Sequence, residues 1–261
     1  MNLPTIFVSH GSPMLALQDS PARRFLQGLG QPLPRPSAIA IVSAHWETAG
    51  GPAVSLATQP ETLHDFGGFP QALFDMRYPA PGAPAAAERA AALFEAADIP
   101  VGRSATRGLD HGAWVPLSLM YPAADVPVMQ ISIVHGAGPA RHQQLGLALQ
   151  ALRQEGVLVI GSGSLTHNLY EIRGQGADRP SPAWVSDFGA WMRERLMAND
   201  RAVLLDYRQL APMAAKNHPT EEHLLPLFVA MGAAGPDARA SVLHTSVEHG
   251  VLAMDAYAFN Y

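Results

Sequence analysis

Ala38-Ile39-Ala40-Ile41-Val42-Ser43-Ala44 is an apolar run rich in β-branched residues, with almost no alternation, and it ends on His45. A strand with one wet face alternates apolar and polar side chains, so a run without alternation reads as a strand covered on both faces. Thr5 to Ser9, Val126 to Ile133 and Val157 to Gly161 share this character, and together the four read as central strands. Helical patterns lie between and after them, over Pro84 to Ala97, Pro139 to Gln154, Pro182 to Met197 and Thr220 to Ala233. Ser241 to Ser246 and Val251 to Tyr257 read as a terminal strand pair, antiparallel across a turn near Glu248-His249-Gly250. This alternation predicts an α/β fold: a single three-layer α/β/α domain over residues 1–261 with a mixed, mostly parallel central sheet.

Composition narrows the function. The net charge is -5, Lys216 is the only lysine and no basic cluster occurs, so the charge needed to neutralise a phosphate backbone is missing and nucleic acid is not an expected partner. No apolar stretch approaches the roughly 20 residues of a membrane helix. Met1-Asn2-Leu3-Pro4 has none of the character of a secretory signal, and a cytoplasmic location is expected. An apolar fraction of 48% with 15% charged residues describes a chain that folds alone, as a monomer or small homo-oligomer. With eleven histidines and no cysteine, any transition-metal site must be built from imidazole and carboxylate.

Several histidines fall where the apolar runs end. His10 follows the first strand and precedes Gly11, which lets the backbone turn sharply and leaves the ring at the crevice mouth. His45 repeats the arrangement, with Trp46 beside it to pack on the ring. His167 follows Gly161-Ser162-Gly163-Ser164, read as a flexible link that brings a third imidazole to the same crevice as ligand or proton-transfer group. His223, after Pro219-Thr220-Glu221-Glu222, is expected in the first turn of a helix, where the positive helix end favours the neutral ring a metal needs. His111 stands beside Asp110, a carboxylate placed to orient it. His64, in a Pro/Gly-rich stretch from Thr58 to Gly82 that holds Phe66, Phe69, Phe74 and Tyr78, is a candidate substrate contact in a wall or lid over the crevice. A surface His64–Asp65 pair is the competing reading. His142 is expected on a solvated helix face, and His135, His218, His244 and His249 carry no assignment. The Gly161-Ser162-Gly163-Ser164 run lacks the third glycine of a dinucleotide fingerprint, the ending of a phosphate loop and the spacing of a nucleophile elbow.

Taken together, Ser9-His10-Gly11-Ser12-Pro13-Met14, Ser43-Ala44-His45-Trp46, His64-Asp65-Phe66-Gly67-Gly68-Phe69-Pro70, Asp110-His111-Gly112-Ala113-Trp114, His167-Asn168-Leu169 and Glu222-His223-Leu224-Leu225-Pro226-Leu227 resemble the class III extradiol ring-opening dioxygenases. Within these the DOPA extradiol dioxygenase branch is most similar, from about residue 5 onward. The resemblance implies a non-haem, metal-dependent enzyme that opens a catechol such as DOPA with O2 to give a semialdehyde. It implies one divalent metal at the carboxyl edge of the sheet. His10, His45 and His223 match its ligands, and His167 matches an acid/base group or additional ligand. His111 matches an active-site histidine, with a catalytic or substrate-binding role. The third ligand position is His223, next to Glu222, rather than the carboxylate of the ferrous two-histidine triad. Zinc is therefore expected in isolated protein and iron(II) for oxygen chemistry. The competing functions are a zinc hydrolase using a metal-bound hydroxide, for which no His-Glu-x-x-His helix exists, and a catechol-binding metalloprotein without turnover.

Overall fold

The computed structural model describes residues 3–172 and 179–260. Ten strands occur among them: β1 (Thr5–Ser9), β2 (Ala38–Thr48), β3 (Ala53–Ser55), β4 (Gly102–Ser104), β5 (Val128–Val134), β6 (Val157–Gly163), β7 (Arg239–His244), β8 (Val247–Glu248), β9 (Leu252–Ala253) and β10 (Ala256–Asn260). Eight of them form one sheet in the order β4-β3-β5-β2-β6-β1-β10-β7. The middle of this sheet, β5-β2-β6-β1, is parallel throughout, and β10 runs antiparallel to both β1 and β7. The mixed, mostly parallel sheet expected from the non-alternating runs is present, because all four of those runs are the central strands.

Helices cover both faces. They are α1 (Pro21–Leu29), α2 (Gln71–Phe74), α3 (Pro84–Ala96), α4 (His111–Met120), α5 (Gly138–Ala148), α6 (Ala183–Met197), α7 (Arg201–Leu205), α8 (Tyr207–Leu210), α9 (Ala214–Asn217) and α10 (Leu225–Ala233). Successive strand residues point to opposite faces, which divides the core in two. Phe7, Ala40, Val42 and Val159 pack with Phe94 of α3, Leu145 of α5, Phe188 of α6 and Phe228 of α10. Ile6, Val8, Ile39, Ile41 and Ile160 pack with Leu26 of α1 and Trp114 and Leu117 of α4. Helix, sheet and helix make the three layers, and strands buried on both faces need no polar alternation.

Several local expectations are corrected. Gly161 and Gly163 are not a flexible link but part of β6, and they are glycine because α10 and its approach lie directly on the strand. A Cβ on Gly161 would stand 2.2 Å from the Pro226 carbonyl oxygen, and one on Gly163 would stand 2.0 Å from that of His223. The helix expected over Pro139 to Gln154 ends at Ala148 and gives way to a 3-10 turn, Gln150–Arg153. The terminal pairing is antiparallel as expected, but it joins β7 to β10, and the β8–β9 hairpin occupies the connection. His142 is buried rather than solvated. Its Nδ1–H donates to the Gly138 carbonyl at 2.7 Å and its Nε2 accepts from the Val134 amide at 3.1 Å, so it ties α5 to the end of β5. Among the described residues no helix is long and apolar enough to cross a membrane.

Candidate metal centre and substrate pocket

Parallel strands put their carboxyl ends on one edge, and crevices at that edge are where open α/β sheets bind ligands. His10 is the residue after β1 and is buried there, its amide donating to the Gly163 carbonyl at 2.9 Å. His45 lies inside β2, within a break in register between Ser43 and Glu47 that interrupts its pairing with β5. Such a bulge re-aims the side chains beside it. His223 is not in a helical first turn: it precedes α10 by two residues, and its carbonyl receives the Ser164 amide at 2.8 Å. Burial, rather than a helix end, favours its neutral ring.

The three rings converge. His10 Nε2 stands 3.0 Å from His45 Nε2, which stands 3.3 Å from His223 Nε2. On His10 and His223 the other nitrogen has a partner that dictates the tautomer. The Ser162 hydroxyl donates its proton to the Gly112 carbonyl, so its oxygen accepts from His10 Nδ1–H at 3.0 Å. A carboxylate only accepts, so the Glu222 Oε1 contact at 3.1 Å holds the proton on His223 Nδ1. On His10 and His223 the proton thus points outward, and both unprotonated Nε2 atoms face His45 Nε2. Lone pairs at this separation repel unless a cation lies between them. Nitrogens about 2.0–2.1 Å from a tetrahedral ion are about 3.4 Å apart, so His10, His45 and His223 fit a single divalent metal, and they form a possible metal-holding group.

Burial keeps these rings neutral. Desolvation, followed by the neighbouring histidines, holds His10 and His223 well below the ordinary imidazole range. Burial and then His111 push His45 down to about 3, against the opposing pull of Asp65. His167 is held down to about 4, chiefly by burial. His167 is not one of the converging trio. Its ring stacks on His223 with centroids 3.4 Å apart and planes 9° from parallel, and its nitrogen groups with Glu222 and His223.

His111 opens α4, and its ring centroid is 3.9 Å from that of His45. The carboxylate that orients it is Asp65, not the adjacent Asp110. Asp65 Oδ1 accepts both the His111 amide at 2.9 Å and Nδ1–H at 3.0 Å, and its Oδ2 lies 3.9 Å from His45 Nδ1. Burial opposes ionisation of Asp65, but the bonds from His111 outweigh it and take the carboxyl down to about 2. Asp110 instead caps α4, accepting from the Ala113 amide at 3.2 Å, from Ser43 Oγ at 2.6 Å and from Arg107 Nη2 at 2.6 Å. This pins the helix start to β2. Arg107 also covers the Trp46 ring, 5.1 Å from its centroid, so Trp46 holds that arginine rather than packing on His45.

A cavity of about 610 Å³ opens over the cluster, lined by His10, His45, His111, His167 and His223 together with Pro13, Met14, Phe66, Phe69 and Leu252. Phe66 and Phe69 are the wall expected of the Thr58 to Gly82 stretch. Tyr78 is instead buried, its hydroxyl donating to the Tyr121 carbonyl at 3.1 Å. His64 does not line the cavity. It packs among Phe66, Phe74 and Trp114, and its Nε2–H donates to the Met76 carbonyl at 3.1 Å. Two lining residues, Gln18 and His249, had no signal in the sequence reading, because only the folded chain brings them to the histidines.

This architecture defines a class: a three-layer α/β protein with a neutral imidazole cluster at the carboxyl edge of its sheet and an apolar pocket above it. More particularly, the chain belongs to the LigB family, matching over residues 4–260 the domain described as the catalytic LigB subunit of aromatic ring-opening dioxygenase. It is 41% identical over 259 residues to a 4,5-DOPA dioxygenase extradiol of Beta vulgaris, covering 98% of this chain and 96% of that one. It is 40% identical to the protein of the same name from Escherichia coli K12, covering 97% and 93%. A crystal structure of an uncharacterized E. coli K12 protein superposes with a TM-score of 0.83 at 35% identity, covering 98% of this chain and 99% of that one. The resemblance read from the histidine motifs is borne out, and the chain is a ring-opening dioxygenase by family.

Proposed function

We propose that this protein opens the ring of a catechol, DOPA among its substrates, with O2 to give a semialdehyde, using one divalent metal held by His10, His45 and His223. The observation that carries this is the convergence of three Nε2 atoms, with that of His45 3.0 Å from His10 and 3.3 Å from His223, beneath an apolar pocket. When bound, a redox-active metal such as iron(II) supplies a path for electron density between catecholate and dioxygen, whereas zinc is redox-inert. The chain's own residues do the rest. Phe66 and Phe69 flank the ring and keep water from its face. His167, neutral at pH 7 because burial holds it near 4, accepts the proton that a catechol hydroxyl releases on binding. His111, whose Nδ1–H is fixed on Asp65, presents Nε2 to the pocket and exchanges a second proton as the ring opens. His64 supports Phe66 from behind. In this proposal the protein is a cytoplasmic monomer or small homo-oligomer that carries zinc as isolated and needs iron(II) for turnover.

Metal-stripped protein reloaded with iron(II) or zinc, then given DOPA in air, tests the proposal by oxygen uptake and formation of a yellow semialdehyde. The iron protein is expected to show both and the zinc protein neither. Oxygen uptake by neither form, with ester hydrolysis by the zinc form, would refute it.

A further inference from the structure

His10 and His223 are held at the metal centre through their outer ring nitrogens, by Ser162 and Glu222. His45 has no such hold, because its Nδ1 stands 3.9 Å from Asp65 Oδ2, beyond hydrogen-bond length. The sheet does not hold it either: pairing with β6 ends at Ser43, and pairing with β5 resumes only at Glu47. Both backbone groups of His45 are instead satisfied from outside the ladder. Its amide donates to Ser43 Oγ at 3.2 Å, and its carbonyl accepts from Arg107 Nη2 at 3.3 Å. Those two side chains share one partner, since Asp110 accepts from Ser43 Oγ through Oδ1 and from Arg107 Nη2 through Oδ2, each at 2.6 Å. Asp110 is fully buried, and Gln130 of β5 fixes it from behind, donating to Oδ2 and accepting from the Asp110 amide at 3.3 Å. A carboxylate this deeply buried is costly unless it is paired and hydrogen-bonded. Capping α4 does not demand that charge, because a neutral Asn or Ser caps a helix as well.

We propose that Asp110 is the positioning residue of His45: through Ser43 and Arg107 its carboxylate does for the backbone of this ligand what Ser162 and Glu222 do for the rings of the other two. The inference rests on the metal centre proposed above and deepens it. Gly112, the second residue of α4, completes the arrangement. A Cβ there would stand 2.9 Å from His45 Cδ2 and 2.5 Å from Ser43 Oγ, so the first turn of α4 is a stop against the edge of the imidazole. Asp110 sets that turn as well, accepting from the Ala113 amide at 3.2 Å. With backbone and ring edge both fixed, His45 keeps its Nε2 aimed at those of His10 and His223 without a hydrogen bond at Nδ1. Ligands held in place by their surroundings bind metal more tightly, because less ordering remains to be done when the ion arrives.

The test uses the full-length protein, stripped of metal and titrated with zinc(II) against a chelator of known affinity. Cobalt(II), whose visible absorption follows ligand geometry, is the second probe. Asp110→Asn leaves a residue that caps α4 equally well and removes the charge. Ser43→Ala removes the hydroxyl that joins Asp110 to the His45 amide. Phe94→Leu, in the core on the other face of the sheet, lowers stability without touching the site. Asp110→Asn and Ser43→Ala are each expected to bind zinc about tenfold or more weakly than the parent and to change the cobalt spectrum. Phe94→Leu should stay within about twofold of the parent, as distant sites do, with a parental spectrum. The double variant Asp110→Asn/Ser43→Ala should lose less than the product of the single losses, since both act on one amide. Parental zinc affinity or a parental cobalt spectrum in Asp110→Asn, independent losses in the double variant, or a loss in Phe94→Leu as large as in the other two would overturn the assignment. A parent that binds zinc no more tightly than its variants loses only the positioning role. A parent that binds no zinc loses the metal centre, and the proposed function with it.

Discussion

Replacing Asp65 by Asn removes one charge and almost no volume, and so isolates the carboxylate that receives two N–H groups of His111. The folded protein lowers the Asp65 pKa from 3.8 to about 2. A shift of that size corresponds to ~2.5 kcal/mol favouring the ionised form, and screening in the partly open pocket reduces it to ~1–2 kcal/mol. A depressed carboxyl stabilises the fold above its unfolded pKa of about 4, and the contribution disappears only as pH falls through about 2. At pH 7 it is fully present. Asp65→Asn should therefore lower the melting temperature at pH 7 by ~2–6 °C in a chain of this length. The loss should persist in chelator-treated protein, because the carboxylate acts on His111 and not through a metal. Activity should fall together with a changed pH profile, since an amide no longer enforces the Nδ1–H tautomer. An Asp65→Asn protein with parental melting and a parental pH profile would refute the assignment.

Chelation should lower the melting temperature of the parent, and zinc at ~100 times its Kd should restore ~2.7 kcal/mol. His10→Ala and His45→Ala should not respond, and identical melting of the parent with and without chelator would remove the metal site. Gly163→Ala should cost ~1–3 kcal/mol by overpacking and weaken metal binding, because the new Cβ meets a backbone oxygen of His223 that has nowhere to move. Urea unfolding and metal titration check both effects, and parental values in both would refute the packing argument. His218 is held down to about 4 by burial, against the opposing bond from its Nε2–H to the Leu165 carbonyl at 2.8 Å. The unfolded ring protonates below about 6.5 and the folded one does not. Stability of the metal-stripped protein should thus be full above that pH and fall by ~1.4 kcal/mol per pH unit between there and 4 for this group alone. Equal urea midpoints at pH 7 and 5.5 would contradict it.

The central strands were legible because burial on both faces leaves a local mark, an apolar run without alternation. His10 and His45 were legible because they follow such runs. The Thr58 to Gly82 wall was legible only in part: Phe66 and Phe69 line the pocket as expected, while Tyr78 is anchored in the core and His64 is set behind Phe66. His142 was misplaced because helical periodicity does not reveal that the start of α5 lies against the end of β5.

The sequence by itself determined which segments are central strands, that any metal here must be held by imidazole or carboxylate, and the family to which the histidine motifs belong. Only the tertiary structure decided that His111 takes its carboxylate from Asp65, 46 positions away, rather than from its neighbour Asp110. It also decided that His223 is neutral through burial, and that His249 meets the pocket. The physical reason is range. Strand character and donor chemistry follow from a residue and its near neighbours, while tautomer, desolvation and pocket membership depend on atoms that closure of the sheet and its loops brings together.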